Sequence, residues 1–532
     1  MAAFEKGAAL TIEDEQSKEN AQAVDVKLDK NGLPLVPQPS GHSDDPLVGS
    51  QRPSKARLTL TARKNWSPAL KLSVALQVSW LSFLGPMSSA VANPAFIPIG
   101  KAFHITTVEA SYSLTMYIIF AAVGPLLAVP LANTYGRRPV YLVGNLVAGI
   151  CNIAGGFSPS WGGLMATRAF VGIFAGSPAT IGPASICDMY FMHERGFYMG
   201  IWTFFLTNGP HTASLMGGFI AQVRLKGLEV PVVTLMADLT QYLGWRWCYT
   251  IPGYMQLATF VLTAVALPET LYPRGAVHNK SKSFLDLLLF KATLPTRKIK
   301  LGDFWRPLYM AKYLTITLPA LYYMTCFGYG SVLFASTGSQ IFAQNYHFTL
   351  SQTGLILSIP LLVGCFIGEA STGWFTDWLV SRYAKRHGGE RRPEARLDGL
   401  WLSLLVPIGV IIQGACIYHH KTVPWIGPAI GMGLANLGLQ AATTVTYAYT
   451  TDYFKPQSAE ISCFLNLVRN GFSALISFYA IPLSGKINTE YAWLTFALIN
   501  VVFFVPVLAL KWLGPKISGM SWQAPPTFHN DL

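Results

Sequence analysis

The sequence predicts an all-α membrane protein of twelve transmembrane helices in two pseudo-symmetric six-helix halves. Three observations predict it. Charged residues make up only 12% of the 532, where a soluble domain carries about 25%, so most of the outer surface must face lipid. Twelve runs approach the ~20 apolar residues that a crossing helix needs. The runs fall into two sets of six with a long basic segment between them.

The twelve spans lie near residues 71–98, 108–132, 139–158, 162–187, 197–221 and 248–267 in the first half, then 312–336, 352–376, 398–418, 425–450, 458–483 and 490–512 in the second. Basic residues concentrate in alternate loops: Arg137 and Arg138 after span 2, Arg195 after span 4, eight Lys and Arg in 271–308, and six in 378–397. The opposite loops are nearly uncharged. Retention of Lys and Arg on the cytoplasmic side then places both termini in the cytoplasm. The chain divides into a polar, disordered tail (1–65), a first half (66–270), a cytoplasmic linker (271–308), a second half (309–515) and a C-terminal tail (516–532). The tail has no apolar core near Met1, so no signal peptide is expected.

The same patterning excludes several functions. The net charge of +13 is spread over loops rather than gathered into one stripe, so nucleic-acid binding is excluded. Twelve spans leave almost no room for a globular enzyme domain. No phosphate-binding loop is present, so ATP hydrolysis is not the drive. The seven cysteines share no metal-ligand spacing and read as small buried apolar residues. No cofactor or metal is expected.

The halves echo each other. Val129-Pro-Leu-Ala-Asn133-Thr-Tyr-Gly136-Arg137-Arg138-Pro139 follows span 2, and Gly373-Trp-Phe-Thr-Asp377-Trp378 follows span 8. Further motifs are Arg168-Ala-Phe-Val-Gly172, Asp188 to Gly196, Gly244-Trp-Arg-Trp247, Leu267-Pro-Glu269-Thr270 and Pro393-Glu-Ala-Arg396-Leu397. Over residues 70–515 this set resembles the major facilitator superfamily, and within it the fungal drug:proton antiporter-like branch. The resemblance implies the major facilitator fold and a gate in which Arg137 pairs with Asp188, with Arg138, Arg195 and Asp377 at the same face. Plain anchoring of the arginines outside lipid is the alternative. The chain departs from the family twice. Asn133 and Thr134 replace an acid and a base, and in the span 5 stretch Gly209-Pro210-His-Thr-Ala213-Ser214-Leu-Met-Gly217-Gly218, which resembles the family's G-P-x-x-G-P-x-x-G-G, Ala213-Ser214 replaces the second Gly-Pro.

A charge inside a bilayer costs at least ~2.5 kcal/mol and is a functional candidate by default. Glu369 is the one acid deep in an apolar run and the leading proton carrier, with a permanent structural bond as the alternative. His211 is a second titratable candidate, and Arg168 resembles the family's coupling arginine. The expected substrate cavity is lined by Asn93, Tyr322, Phe327, Tyr329, Gln440, Tyr447, Asn466, Arg469 and Asn470. Aromatics with scattered amides suit an amphipathic organic ligand.

The expected function is proton-coupled export of a small organic molecule, such as a drug or fungal secondary metabolite, by alternating access. Uptake of a polar organic cation such as a polyamine, and a non-transporting receptor, are the alternatives. The expected partners are that substrate, protons and the lipid bilayer. A monomer in the plasma membrane is expected, with the vacuolar membrane as the alternative. One further feature is residues 223–241, which separate two segments that run almost directly together in resembling proteins. Val223-Arg224 can be encoded by GTACGT and Gln241 by CAG, so a short translated intron and a true outer loop both remain open.

Overall fold

The computed structural model describes residues 66–222, 244–271, 299–387, 392–523 and 526. The segment 223–241, both tails beyond these bounds, most of the linker and the side chain of Asp377 lie outside the described residues.

Twelve long helical segments run through the described residues. The first six are α1 (Pro68–Phe103), α2 (Thr107–Tyr135), α3 (Arg137–Gly156), α4 (Trp161–Met189), α5 (Met192–Gln222) and α6 (Trp247–Ala266). The second six are α7 (residues 314–345), α8 (Leu350–Arg386), α9 (Pro393–Tyr418), α10 (Ile426–Tyr453), α11 (Ser458–Ile487) and α12 (Thr489–Ser518). Eight of these are long and apolar enough to cross a membrane; α5, α6, α7 and α10 fall short of that measure. The helices overrun the predicted spans, most of all α8, because a helix need not stop where the hydrocarbon does.

Local signals set the starts. Thr106 caps α2 through a capping box in which the Thr106 N–H donates to Glu109 Oε2 at 2.7 Å. Ser160 caps α4, and Thr349 caps α8 with Gln352 as its reciprocal partner. Each cap satisfies N–H groups that a helix start otherwise leaves open.

Large apolar side chains such as Val123, Leu127, Val265, Phe366 and Val502 face outward, as lipid contact requires. A groove of about 700 Å³ lies on this outer surface between α8 and α10, and its lining is almost wholly apolar. It has the character of the lipid-facing surface and lies apart from the polar interior.

The halves meet along two seams, α2 against α11 and α5 against α8. Small residues permit the second approach: a methyl group on Gly218 would collide with the backbone of Gly354, and one on Gly217 with that of Val91 in α1. These glycines belong to the altered α5 motif, and Ala213 within it is buried. Close packing of the kind small residues allow therefore survives without the second Gly-Pro.

The opening helix of each half is interrupted within its length. In α1, a 3-10 turn (Asn93–Ala95) separates Pro68–Ala90 from Phe96–Phe103. In α7, a π turn (Gly328–Val332) separates Leu314–Phe327 from Leu333–Asn345. Irregular backbone at membrane depth is tolerated where it lines a cavity, and these turns do so.

Candidate functional site

Three polar assemblies lie along the interface between the halves. The first closes one end of the bundle. Gly136 joins α2 to α3 at φ 104°, and a side chain there would also collide with the Glu269 carboxylate. Only glycine meets both conditions. Glu269 then reaches the start of α3, where its Oε1 accepts the Arg137 N–H at 2.9 Å and its Oε2 accepts that of Arg138 at 3.1 Å. A carboxylate at a helix start satisfies open donors and complements the dipole. Burial raises the pKa of this carboxyl, opposed by the Leu271, Arg137 and Arg138 N–H bonds.

Arg137 Nη2 lies 2.9 Å from Asp188 Oδ2, so α3 and α4 are tied within the first half. Arg138 Nη2 donates to the Ala264 carbonyl at 2.6 Å. Arg195 does more: its Nη1 pairs with Asp452 Oδ1 of the second half at 2.6 Å. Asp452 Oδ2 is held from its own half by Arg396 Nε at 2.9 Å. Beside them, Asn133 Nδ2 donates to Glu460 Oε1 at 2.8 Å, joining α2 to α11. The family's usual acid at position 133 would face Glu460 with like charge, so the amide fits this partner. At the opposite end, the tilted rings of Tyr112 and Phe478 are in contact, with centroids 5.0 Å apart. The halves thus touch at both ends.

The second assembly is the α5–α8–α10 seam around Glu369. Its Oε2 accepts from Gln440 Nε2 and from Thr444 Oγ1, both at 2.7 Å. Its Oε1 lies against Gly200 of α5, where a methyl group would not fit. Thr444 meets Thr203 of α5 at 2.8 Å, and Cys365 Sγ donates to Gln440 Oε1 at 2.9 Å. Among the described residues all seven cysteines are free thiols, and Cys365 is more than an apolar filler. His211 lies further along the seam beside Asn436, and its carbonyl accepts from Ser358 Oγ at 2.6 Å.

The third assembly surrounds a central cavity of about 60 Å³, walled by α1, α2, α4, α5, α7 and α11. Asn93, Phe327, Asn466, Arg469 and Asn470 line it, as do Tyr117, Ser331 and Val332 near the helix breaks. Arg168 lies just behind, over the Tyr117 ring at 5.3 Å.

Four expected lining residues sit elsewhere. Tyr322 bonds Ser403 of α9. Tyr329 stacks on Phe496 of α12 at 5.0 Å. Gln440 belongs to the Glu369 seam, and Tyr447 packs edge-on against Trp202 at 4.9 Å. Glu369 and His211 also lie off the cavity wall. Sequence reasoning missed Tyr117, Asp452 and Glu460. Both acids are single residues at helix ends, and their partners are 257 and 327 positions away.

Two six-helix halves around a central cavity that carries a few polar groups, with contacts at both ends, define a membrane transport protein. The sequence matches the Major Facilitator Superfamily over residues 78–477, and the chain belongs to that family. It is similar to the MFS transporter cpaT of Aspergillus oryzae, 31% identical, covering 84% of this chain and 88% of the relative. It is also similar to the efflux pump radE of Floropilus chiversii, 26% identical over 85% and 82% of the two chains. The proton:xylose symporter XylE superposes with a TM-score of 0.58 at 13% identity, covering 84% of this chain and 97% of that one. That likeness shows the fold alone. The chain is therefore a multi-pass membrane transporter of a non-enzymatic family.

Proposed function

We propose that this protein exports a small organic molecule across the plasma membrane by proton-coupled alternating access, as a monomer with both termini in the cytoplasm. The observation that carries the reading is the central cavity enclosed between halves that touch at both ends. Opening one end at a time would expose the cavity to one side of the membrane and then the other. The printed description of one relative as an efflux pump supports the outward direction.

Glu369 is the proton carrier in this reading. As a carboxylate, its Oε2 accepts two short bonds from α10, and Thr444 passes the contact to α5. Protonation weakens an acceptor of two donors. The charge state of Glu369 would thereby bias the seam between the halves. Uptake of an organic cation is the second reading, favoured by the altered α5 motif; no acid is among the described residues lining the cavity.

Deletion and overexpression in the native host, with metabolites measured inside and outside the cell, test the direction. Overexpression should move an organic metabolite outward, and its accumulation inside would reverse the reading. Glu369→Gln should reach the membrane yet abolish transport driven by a pH gradient. Wild-type transport by that variant would remove Glu369 from the coupling.

A further inference from the structure

The buried arginines of this protein fall into two groups. At the tied end, three of them pair with an acid, Arg137 with Asp188 and Arg195 and Arg396 sharing Asp452, while the Arg138 guanidinium donates to the Ala264 carbonyl beside Glu269. At the centre, Arg168 and Arg469 have none among the described residues. Arg469 Nη1 donates to the Tyr323 hydroxyl at 3.0 Å and Nη2 to Asn466 Oδ1 at 2.6 Å, with the Phe327 ring 4.3 Å from Cζ. Its Nε has no partner. Arg168 donates to Asn152 Oδ1 at 3.0 Å and to the Ser88 carbonyl at 3.1 Å, between the rings of Tyr117 and Tyr249. Both are at most 4% exposed.

A buried cation needs an anion, and neutral acceptors compensate it only in part. Two such cations on facing halves give the cavity a positive potential. Asn93 supplies the second observation. It lines the cavity, it is 0% exposed, and neither its Nδ2 nor its Oδ1 has a hydrogen-bond partner. It sits in the break of α1, facing the broken stretch of α7 that brings Ser331 and Val332 to the same cavity. Apart from these, Arg469, Ser89, Asn466 and Asn470, the wall is apolar or aromatic. Unpaired donors beside an apolar wall suit a ligand with one anionic group on an apolar body.

Building on the transport reading above, we propose that the cavity takes an amphipathic organic acid, whose carboxylate docks on Arg469 and Asn93. Arg168 holds a positive field behind Tyr117. A cavity of about 60 Å³ is far below the roughly 300 Å³ of a drug-sized pocket, so the ligand enters when the halves part.

Full-length protein in lipid nanodiscs, in a sulfate buffer, tests this with three probes of one shape: 1-naphthoate, 1-naphthamide and 1-naphthylmethylamine. Tryptophan fluorescence and thermal unfolding report binding. Naphthoate should bind about 10- to 100-fold more tightly than the amide or the amine, the worth of a charge-assisted bond. Arg469→Gln should erase that preference, Arg469→Lys should retain part of it, and Asn93→Ala should weaken naphthoate selectively. Amide or amine binding as tight as naphthoate, or binding of none of the three, overturns the proposal. So does full naphthoate binding by Arg469→Gln. If Arg469→Gln does not fold, the charge series on the unaltered protein decides. Export plays no part in this measurement, so an acid that binds and is never exported would sink the transport reading alone.

Discussion

Gly136 and Glu269 are chosen for each other. The glycine's positive φ and bare Cα let the carboxylate reach the first N–H groups of α3. Gly136→Ala should destabilise the detergent-solubilised protein by about 1–3 kcal/mol, the cost of a side chain in a sparsely populated backbone region. Thermal unfolding followed by tryptophan fluorescence checks this, and an unchanged midpoint would refute it. The Arg137–Asp188 ion pair brings together two residues that the motif resemblance had already coupled. Asp452 and Glu460 were illegible for a physical reason. A lone acid at a helix end looks like ordinary solvation, and only the folded chain brings its partner across from the other half.

At the scale of the helix, the fold was legible because apolar length and loop charge survive without any knowledge of packing. Helix rotation was not. A helix apolar on all sides gives no sign of which face turns inward, and so Tyr322, Tyr329 and Tyr447 were expected at the cavity and pack elsewhere. The breaks in α1 and α7 were also unread, although Asn93-Pro94 and the Gly328–Gly330 pair carry the needed residues. Along α5 the contact with α8 is steric as well as polar. Gly200→Ala places a methyl group where Glu369 Oε1 lies. It should therefore impair pH-gradient-driven transport much as Glu369→Gln does, with normal delivery to the membrane. Transport at the unaltered rate across a range of pH would show that the carboxylate does not need this position.

For the whole molecule, alternating access requires that the ties at each end break once per cycle. Asn133→Cys with Glu460→Cys, bridged by a short reducible bis-thiol reagent, should hold one end shut. Transport into or out of proteoliposomes should fall to background and return on reduction; undiminished flux while bridged would rule out parting of the halves there. The Asp452 arrangement bears on how fast this parting can be. Two arginines hold the carboxylate, one from each half, but only Arg195 leaves when the halves separate. Arg396 travels with Asp452, so the acid is never abandoned as a lone charge in a dry interface, which is the costly state for a broken buried pair. In the proposed cycle the resident arginine would serve as a standing counterion and so lower the barrier to opening. Arg396→Gln should then lower turnover more than it lowers ligand affinity, a slowing of the conformational step rather than of binding.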